Sequence, residues 1–293
     1  MMIIQKLQKR MPMDSKSKTE LQFQRFTRLN RTLHVLMIVS FLTLALTGLS
    51  LKFSYTGWAV ILSKFFGGFE SAGYLHRFAA VVMIGVFLTH LFDVIRLKRK
   101  EFGTWKSLFF GDNSMLFNKR DLKEFVGSIK WFVGVGERPE YGRWTYWEKF
   151  DYFAVFWGMF AIGSTGLTLW FPELFTRIFP GWFINVATII HSDEALLATG
   201  FIFTVHFFNT HLRPEKFPMD IVIFSGRIPL EEFKLDRPDE YKKLVDSGEL
   251  GKHLVEPYPL IVIKAMKIFG WTALIIGLSM VLWIIYAMIF IYR

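Results

Sequence analysis

Five stretches of this chain are apolar over about 20 residues each, the length a helix needs to cross a hydrocarbon layer about 30 Å thick. They lie at roughly 32–51, 74–97, 150–171, 182–211 and 263–292. The fourth is longer than a crossing requires, so its first turns are expected near the interface. The pattern sets the fold class: all-α, an integral membrane helical bundle with a four-helix core and a fifth, C-terminal transmembrane helix. Composition agrees, since 52% hydrophobic residues with 33 Phe and 10 Trp is too apolar for a soluble domain of 293 residues.

Charge sits between the apolar runs. Residues 1–31 carry eight Lys and Arg, 98–149 carry eleven and 212–267 carry ten, whereas the remaining loops hold only Lys52, Lys64 and Arg177. By the positive-inside rule the three rich segments are cytoplasmic, with the N-terminus inside and Arg293 outside a bacterial or archaeal cytoplasmic membrane. The net charge of +10 therefore follows the loops and does not point to nucleic acid. No contiguous apolar region precedes Leu29, so no cleavable signal peptide is expected. The division is 1–31 as a cytoplasmic N-terminal segment, 32–211 as a four-helix membrane domain containing the cytoplasmic connection 98–149, 212–262 as a second cytoplasmic connection, and 263–293 as the C-terminal transmembrane helix. Within the first connection, Asp121–Gly134 has apolar residues at helical spacing and reads as an amphipathic connecting helix or a helix at the membrane surface. Residues 217–256 read as a folded cap or a partner surface.

Cysteine is absent. That excludes disulfides, c-type haem attachment and cysteine-ligated iron–sulfur clusters within this chain, and leaves His and Met as ligands for any redox cofactor.

An internal repeat organises the first four runs. "TGLSLKF" at Thr47–Phe53 returns 118 residues later as "TGLTLWF" at Thr165–Phe171. His76 and "HLF" from His90 return as His191 and "HFF" from His206, at offsets of 115 and 116. Two helix pairs of the same orientation form a parallel repeat about an axis near the membrane normal.

Six of the seven histidines (34, 76, 90, 191, 206 and 211) fall in or at the ends of the apolar runs. A lone histidine there reads first as a hydrogen-bonded polar residue, but ionisable groups at membrane depth are functional candidates. The spacing from His76 to His90 brings both within about 40° of one helix face, about 21 Å apart along the axis. From His191 to His206 the offset is about 60° and the rise about 22 Å. Two such helices facing each other present stacked pairs, His76 with His191 at an outer level and His90 with His206 at an inner one. Bis-histidine haem needs this arrangement, with a porphyrin standing between two helices. Gly48, Gly85, Gly163, Gly166 and Gly200 are candidates for close approach to the macrocycle, or for plain helix packing. His34 and His211 fall outside the repeat. His211 points about 140° away from His206, and with Asn209 it reads as an interfacial residue, a quinone-site residue or a ligand to a third haem. Asp193 and Glu194 suit a helix start, with a hydrogen bond to an imidazole as the alternative.

These stretches resemble a known family. "RLNRTLHVLMIVSFLTLALTGLSLKF" (Arg28–Phe53), "LHRFAAVVMIGVFLTHLF" (Leu75–Phe92), "GRWTYWEKFDYFAVFWG" (Gly142–Gly158) and the segment from His191 through "LRPEKFP" are similar to the cytochrome b subunits of membrane-bound respiratory oxidoreductases. Those are the membrane anchors of formate dehydrogenase, nickel–iron hydrogenase and thiosulfate reductase, with cytochrome b/b6-like proteins beside them. The resemblance covers the first four runs, and the fifth is an addition. It implies a four-helix haem-binding core with two b-type haems, His76 with His191 at the outer and His34 with His206 at the inner. That differs from the repeat, which names His90, and a third haem stays open.

The function so implied is transmembrane electron transfer between a partner redox subunit and the quinone pool, with quinone or menaquinone as substrate near the inner haem. Polar groups gather toward that side: His34, Asp93, Glu148, Lys149, Asp151, Asn209 and His211. Arg31 and Arg77, with Lys149, are candidate partners of haem propionates. Expected partners are membrane lipid, an iron–sulfur or multihaem cytochrome c subunit, and a catalytic oxidoreductase subunit, because this chain carries no pterin or flavin signature of its own. The competing class is a membrane transporter using His and Asp for metal ions or protons.

Overall fold

The computed structural model describes residues 21–213, 216–217 and 219–291. Residues 1–20 and Arg293, on which part of the orientation reading rests, lie outside the described residues. In chain order the helices that matter are α1 (Arg28–Lys52), the short α2 (Gly57–Phe65), α3 (Phe69–Phe102), α4 (Lys119–Phe132), α5 (Tyr146–Trp170), α6 (Trp182–Leu212) and α7 (Leu260–Phe290). Of these, α1, α3, α5, α6 and α7 are long and apolar enough to cross a membrane. The fold is an all-helical membrane bundle. Four of the five, α1, α3, α5 and α7, begin about a turn before their apolar run, because a formed helix propagates through Arg, Tyr or Pro-flanked residues at little cost. Three are not uniformly α-helical: α3 ends in a π-helical turn at Lys98–Phe102. A π-helical turn at Met159–Gly163 interrupts α5, and two more, Ile202–His206 and Phe208–Leu212, close α6. Such turns free backbone carbonyls from the regular ladder and are common at functional sites.

The described residues divide into two units. The membrane unit comprises 32–97, 150–220 and 267–293. Its apolar core joins Leu49 and Phe53 of α1, Ala59 of α2, Phe203 and Phe207 of α6, and Leu274, Met280 and Ala287 of α7. The fifth helix is therefore packed on the first and fourth. At Gly277 a Cβ would overlap the Phe203 ring, so only glycine lets α7 approach there. Trp58 and Trp283 stack with centroids 5.7 Å apart. α2 was not anticipated from the sequence. Thr56 caps it, accepting a hydrogen bond from the Ala59 amide, and Gly67 and Gly68 end its turn with φ of +87° and +101°.

The second unit holds the described part of 1–31, with 98–149 and 221–266. It contains a three-stranded antiparallel sheet in which β1 (Gln22–Gln24) lies between β2 (Arg227–Pro229) and β3 (Leu254–Val255). Phe23 stacks on Phe233 at 3.9 Å and anchors a core of Val222, Ile228, Leu230, Phe233 and Leu250. Strands this short have no periodic signature, which is why the sequence reading showed none.

Candidate functional site

The membrane unit brings His76 of α3 and His191 of α6 together. Their ring centroids are 6.2 Å apart and their planes make 75°. Each ring is fixed from behind. Thr47 Oγ1 lies 2.9 Å from His76 Nδ1, with the Leu44 backbone also against the ring. Ile162 O lies 2.9 Å from His191 Nδ1, and Thr165 Oγ1 is 3.4 Å away.

These contacts assign the tautomers. A carbonyl can only accept, so His191 Nδ1–H donates to Ile162. Thr47 already donates its hydroxyl proton to the Thr43 carbonyl at 2.6 Å, so its oxygen accepts from His76 Nδ1–H. Thr165 likewise donates to the Ala161 carbonyl. In both neutral rings Nε2 then keeps its lone pair, the form in which imidazole binds a metal.

The repeat "TGL" acquires a meaning here. In each half the threonine hydroxyl stands at Nδ1, and the glycine after it makes room for the ring. A Cβ at Gly48 would stand 3.3 Å from His76 Cε1, and one at Gly166 would stand 2.9 Å from His191 Cε1. Leu44 and Ile162 are also separated by the repeat offset. The two threonines were not read as site residues from the sequence, although the repeated motif containing them was the available signal. Of the other glycines, Gly85 and Gly200 have open space where a Cβ would lie, and Gly163 has Met159 at 4.0 Å.

About four turns along, near His206, the arrangement is different. His206 Nδ1 is 2.9 Å from Asp151 Oδ2 of α5. His34 of α1 lies within Coulombic range of His206 and His211, and its Nδ1 is buried with no hydrogen-bond partner among the described residues. His90 is engaged by the third crossing helix, α5. Its Nε2 is 2.9 Å from the Tyr152 hydroxyl, and its ring packs against Phe156. His211 is buried, with its ring 5.1 Å from Phe207 and its Nδ1 without a hydrogen-bond partner among the described residues. Asn209, two residues before it, is half-buried.

The remaining candidates are engaged elsewhere. Arg31 donates to the carbonyls of Phe224 and Ser225 at 3.1 and 2.8 Å and to the Tyr258 hydroxyl. Arg77 lies over the Trp170 ring at 5.9 Å. Asp193 pairs with Lys52 at 3.0 Å, so the imidazole partners are Thr47, Thr165 and Ile162 instead. Among the described residues no three His, Asp or Glu side chains converge as a cage for a bare metal ion. The constellation is one of facing pairs.

No family model matches the chain. It is 24% identical over 251 residues to the F420 non-reducing hydrogenase II cytochrome subunit of Methanosarcina mazei, a match covering 80% of this chain and 86% of that protein. Over most of its length, then, the chain is similar to a cytochrome subunit of a hydrogenase.

Proposed function

We propose that this chain is a membrane cytochrome b subunit that carries electrons across the bilayer between a partner redox subunit and a quinone-class carrier. The carrying observation is the His76–His191 pair. Two metal–imidazole bonds of about 2 Å each, plus the short step from ring centre to nitrogen at either end, come to about 6 Å. The observed centroid separation is 6.2 Å, with both Nδ1–H groups already bonded and both Nε2 atoms left as ligands. The residues fit a bis-histidine haem on this ground. Bound there, the haem supplies one-electron oxidation and reduction. Thr47, Thr165 and the Ile162 carbonyl hold the imidazoles in ring orientation and tautomer, and α1, α3, α5 and α6 exclude water.

At the second level we assign His34 with His206. The unpartnered buried Nδ1 of His34 and its closeness to His206 support this choice, as does the engagement of His90 by Tyr152. The repeat supports it too. His34 corresponds by the 118-residue offset to Tyr152, and His90 corresponds to His206. The approach of His34 to His206 thus has a counterpart in Tyr152 with His90, and only the first is made of two histidines. The assignment is two haems per chain. Asp151 accepts from His206 Nδ1–H, and with Asn209 and His211 it gives this level the hydrogen-bonding groups that quinone or menaquinone protonation requires. The similarity to a hydrogenase cytochrome subunit supports a redox partner subunit.

The test is the visible spectrum of purified protein with pyridine haemochromogen stoichiometry. Two b-type haems are expected, both kept in His90→Ala and one lost in His34→Ala. Protein without a reduced b-type α-band would overturn the reading in favour of a transporter.

A further inference from the structure

Helix α4 is built inside out. A surface helix ordinarily buries its apolar stripe and shows its polar face to water. Here the polar side packs inward. Asp121, 4% exposed, closes a capping box with Asn118 and pairs with Lys149 at 2.9 Å. Glu124 bonds Arg120 at 2.6 Å, and Ser128 bonds the Tyr141 hydroxyl at 2.8 Å. On the same side, a Cβ at Gly127 would come within 2.9 Å of Pro139. The opposite side presents Leu122, Phe125, Val126, Ile129 and Phe132 to the outside, with Leu122 67% and Phe132 83% exposed. At 100° per residue these five fall in one arc of about 120°. Lys119, Lys123 and Lys130, all exposed, fall together along one border of that arc. Both acids of the helix are buried, so its outer surface is apolar and cationic only.

We infer that this face of α4 lies in the headgroup layer of an anionic bilayer, with the apolar arc toward the acyl chains and the three lysines level with lipid phosphates. Exposed apolar residues bordered by lysine, with no acid between, match a membrane surface in hydrophobicity and charge together. The chain supplies that surface itself, since α4 lies between two membrane-spanning helices in the sequence.

The absence of cysteine makes single-site labelling of the full chain unambiguous. Nitroxides at Ile129→Cys and Lys123→Cys, in nanodiscs of phosphatidylcholine with and without phosphatidylglycerol, would be tested by power saturation against oxygen and a water-soluble nickel chelate. Leu122→Cys provides a second reporter on the apolar arc should Ile129→Cys fail to assemble. The label at 129 is expected to be relaxed mainly by oxygen and the label at 123 mainly by nickel. Phosphatidylglycerol should deepen the label at 129, and replacing Lys119, Lys123 and Lys130 with Gln should abolish that deepening. Relaxation at 129 mainly by nickel would place the face in water and overturn the inference. Protection from both reagents would overturn it in favour of a protein partner or a second copy. A depth indifferent to phosphatidylglycerol would overturn the anionic-lipid assignment.

Discussion

The His76 level and the His206 level of the membrane unit come from the same repeat but differ in symmetry. At the first, each half contributes a Thr-Gly pair and a histidine, and the two histidines meet each other across the repeat axis. At the second, the halves meet in two separate places: Tyr152 bonds His90, and His34 lies within Coulombic range of His206. The difference follows from geometry. On the axis, one histidine per repeat suffices, because its partner is its own copy. Off the axis, each contact needs suitable residues from two helices, and one exchange removes a pair while leaving the other intact. Tyr152 in the place of a histidine is that exchange.

The largest effects should come from breaking the on-axis pair. His76→Ala or His191→Ala is expected to halve the haem-to-chain ratio, whereas His90→Ala should leave it unchanged. A loss with His90→Ala equal to that with His34→Ala would show that the off-axis contacts are equivalent after all.

Next come the two glycine seats. Gly166→Ala puts a methyl 2.9 Å from His191 Cε1, and Gly48→Ala puts one 3.3 Å from His76 Cε1. Overpacking of this kind costs about 1–3 kcal/mol. Gly166→Ala should therefore lower haem retention and thermal stability more than Gly48→Ala. Equal effects would mean that the rings move freely and that the seats do not set their position.

The threonines sharpen the comparison at smaller scale. Thr47→Val removes the hydroxyl that His76 Nδ1–H reaches at 2.9 Å. Thr165→Val leaves His191 its bond to the Ile162 carbonyl. Thr47 stands 2.9 Å from His76 Nδ1, whereas Thr165 stands 3.4 Å from His191 Nδ1 beside the nearer Ile162 carbonyl, so the haem midpoint potential should shift more with Thr47→Val, and Thr47→Ser should restore it. A larger shift from Thr165→Val would reverse the ranking of the two seats.

How much of this was readable in advance depends on the range of the interactions. Crossing helices and the facing of His76 and His191 follow from local periodicity, because rise and angle per residue are fixed. The choice between His34 and His90 could not follow from it. Spacing along α3 gives the depth of His90 but not which neighbour occupies its front, and that neighbour is Tyr152, 62 residues away. Thr47 and Thr165 were hidden for another reason. Most threonines in these helices bond a carbonyl one turn back, as Thr43 and Thr199 do, so a threonine's second bond to histidine leaves no trace in sequence. The sheet pairs Phe23 with Ile228 across most of the chain. The capping box of α4 was legible locally, but the direction its apolar face points was not.

The smallest expected effect lies in the second unit, where one cation holds two acids of opposite behaviour. Burial raises the Glu124 carboxyl above its ordinary value, and the bond from Arg120 offsets this only in part. Burial pushes Asp239 the same way, but bonds from Arg120 and Lys243 prevail and hold it below its ordinary value. The signs therefore oppose. For Glu124 the folded state favours the protonated form, so its stabilising contribution is full below the ordinary glutamate range and is lost as pH rises through the raised value. For Asp239 the folded state favours the charged form, so its contribution is present above the ordinary aspartate range and is lost as pH falls through the lowered value. Urea unfolding of the full chain in nanodiscs at neutral pH and at a pH below the ordinary aspartate range, followed by protease susceptibility of the 98–149 segment, separates the two. Glu124→Gln should gain stability at neutral pH relative to the parent and match it in acid. Asp239→Asn should lose stability at neutral pH and approach the parent in acid. Parallel responses of the two variants would mean that Arg120 does not divide its charge between them.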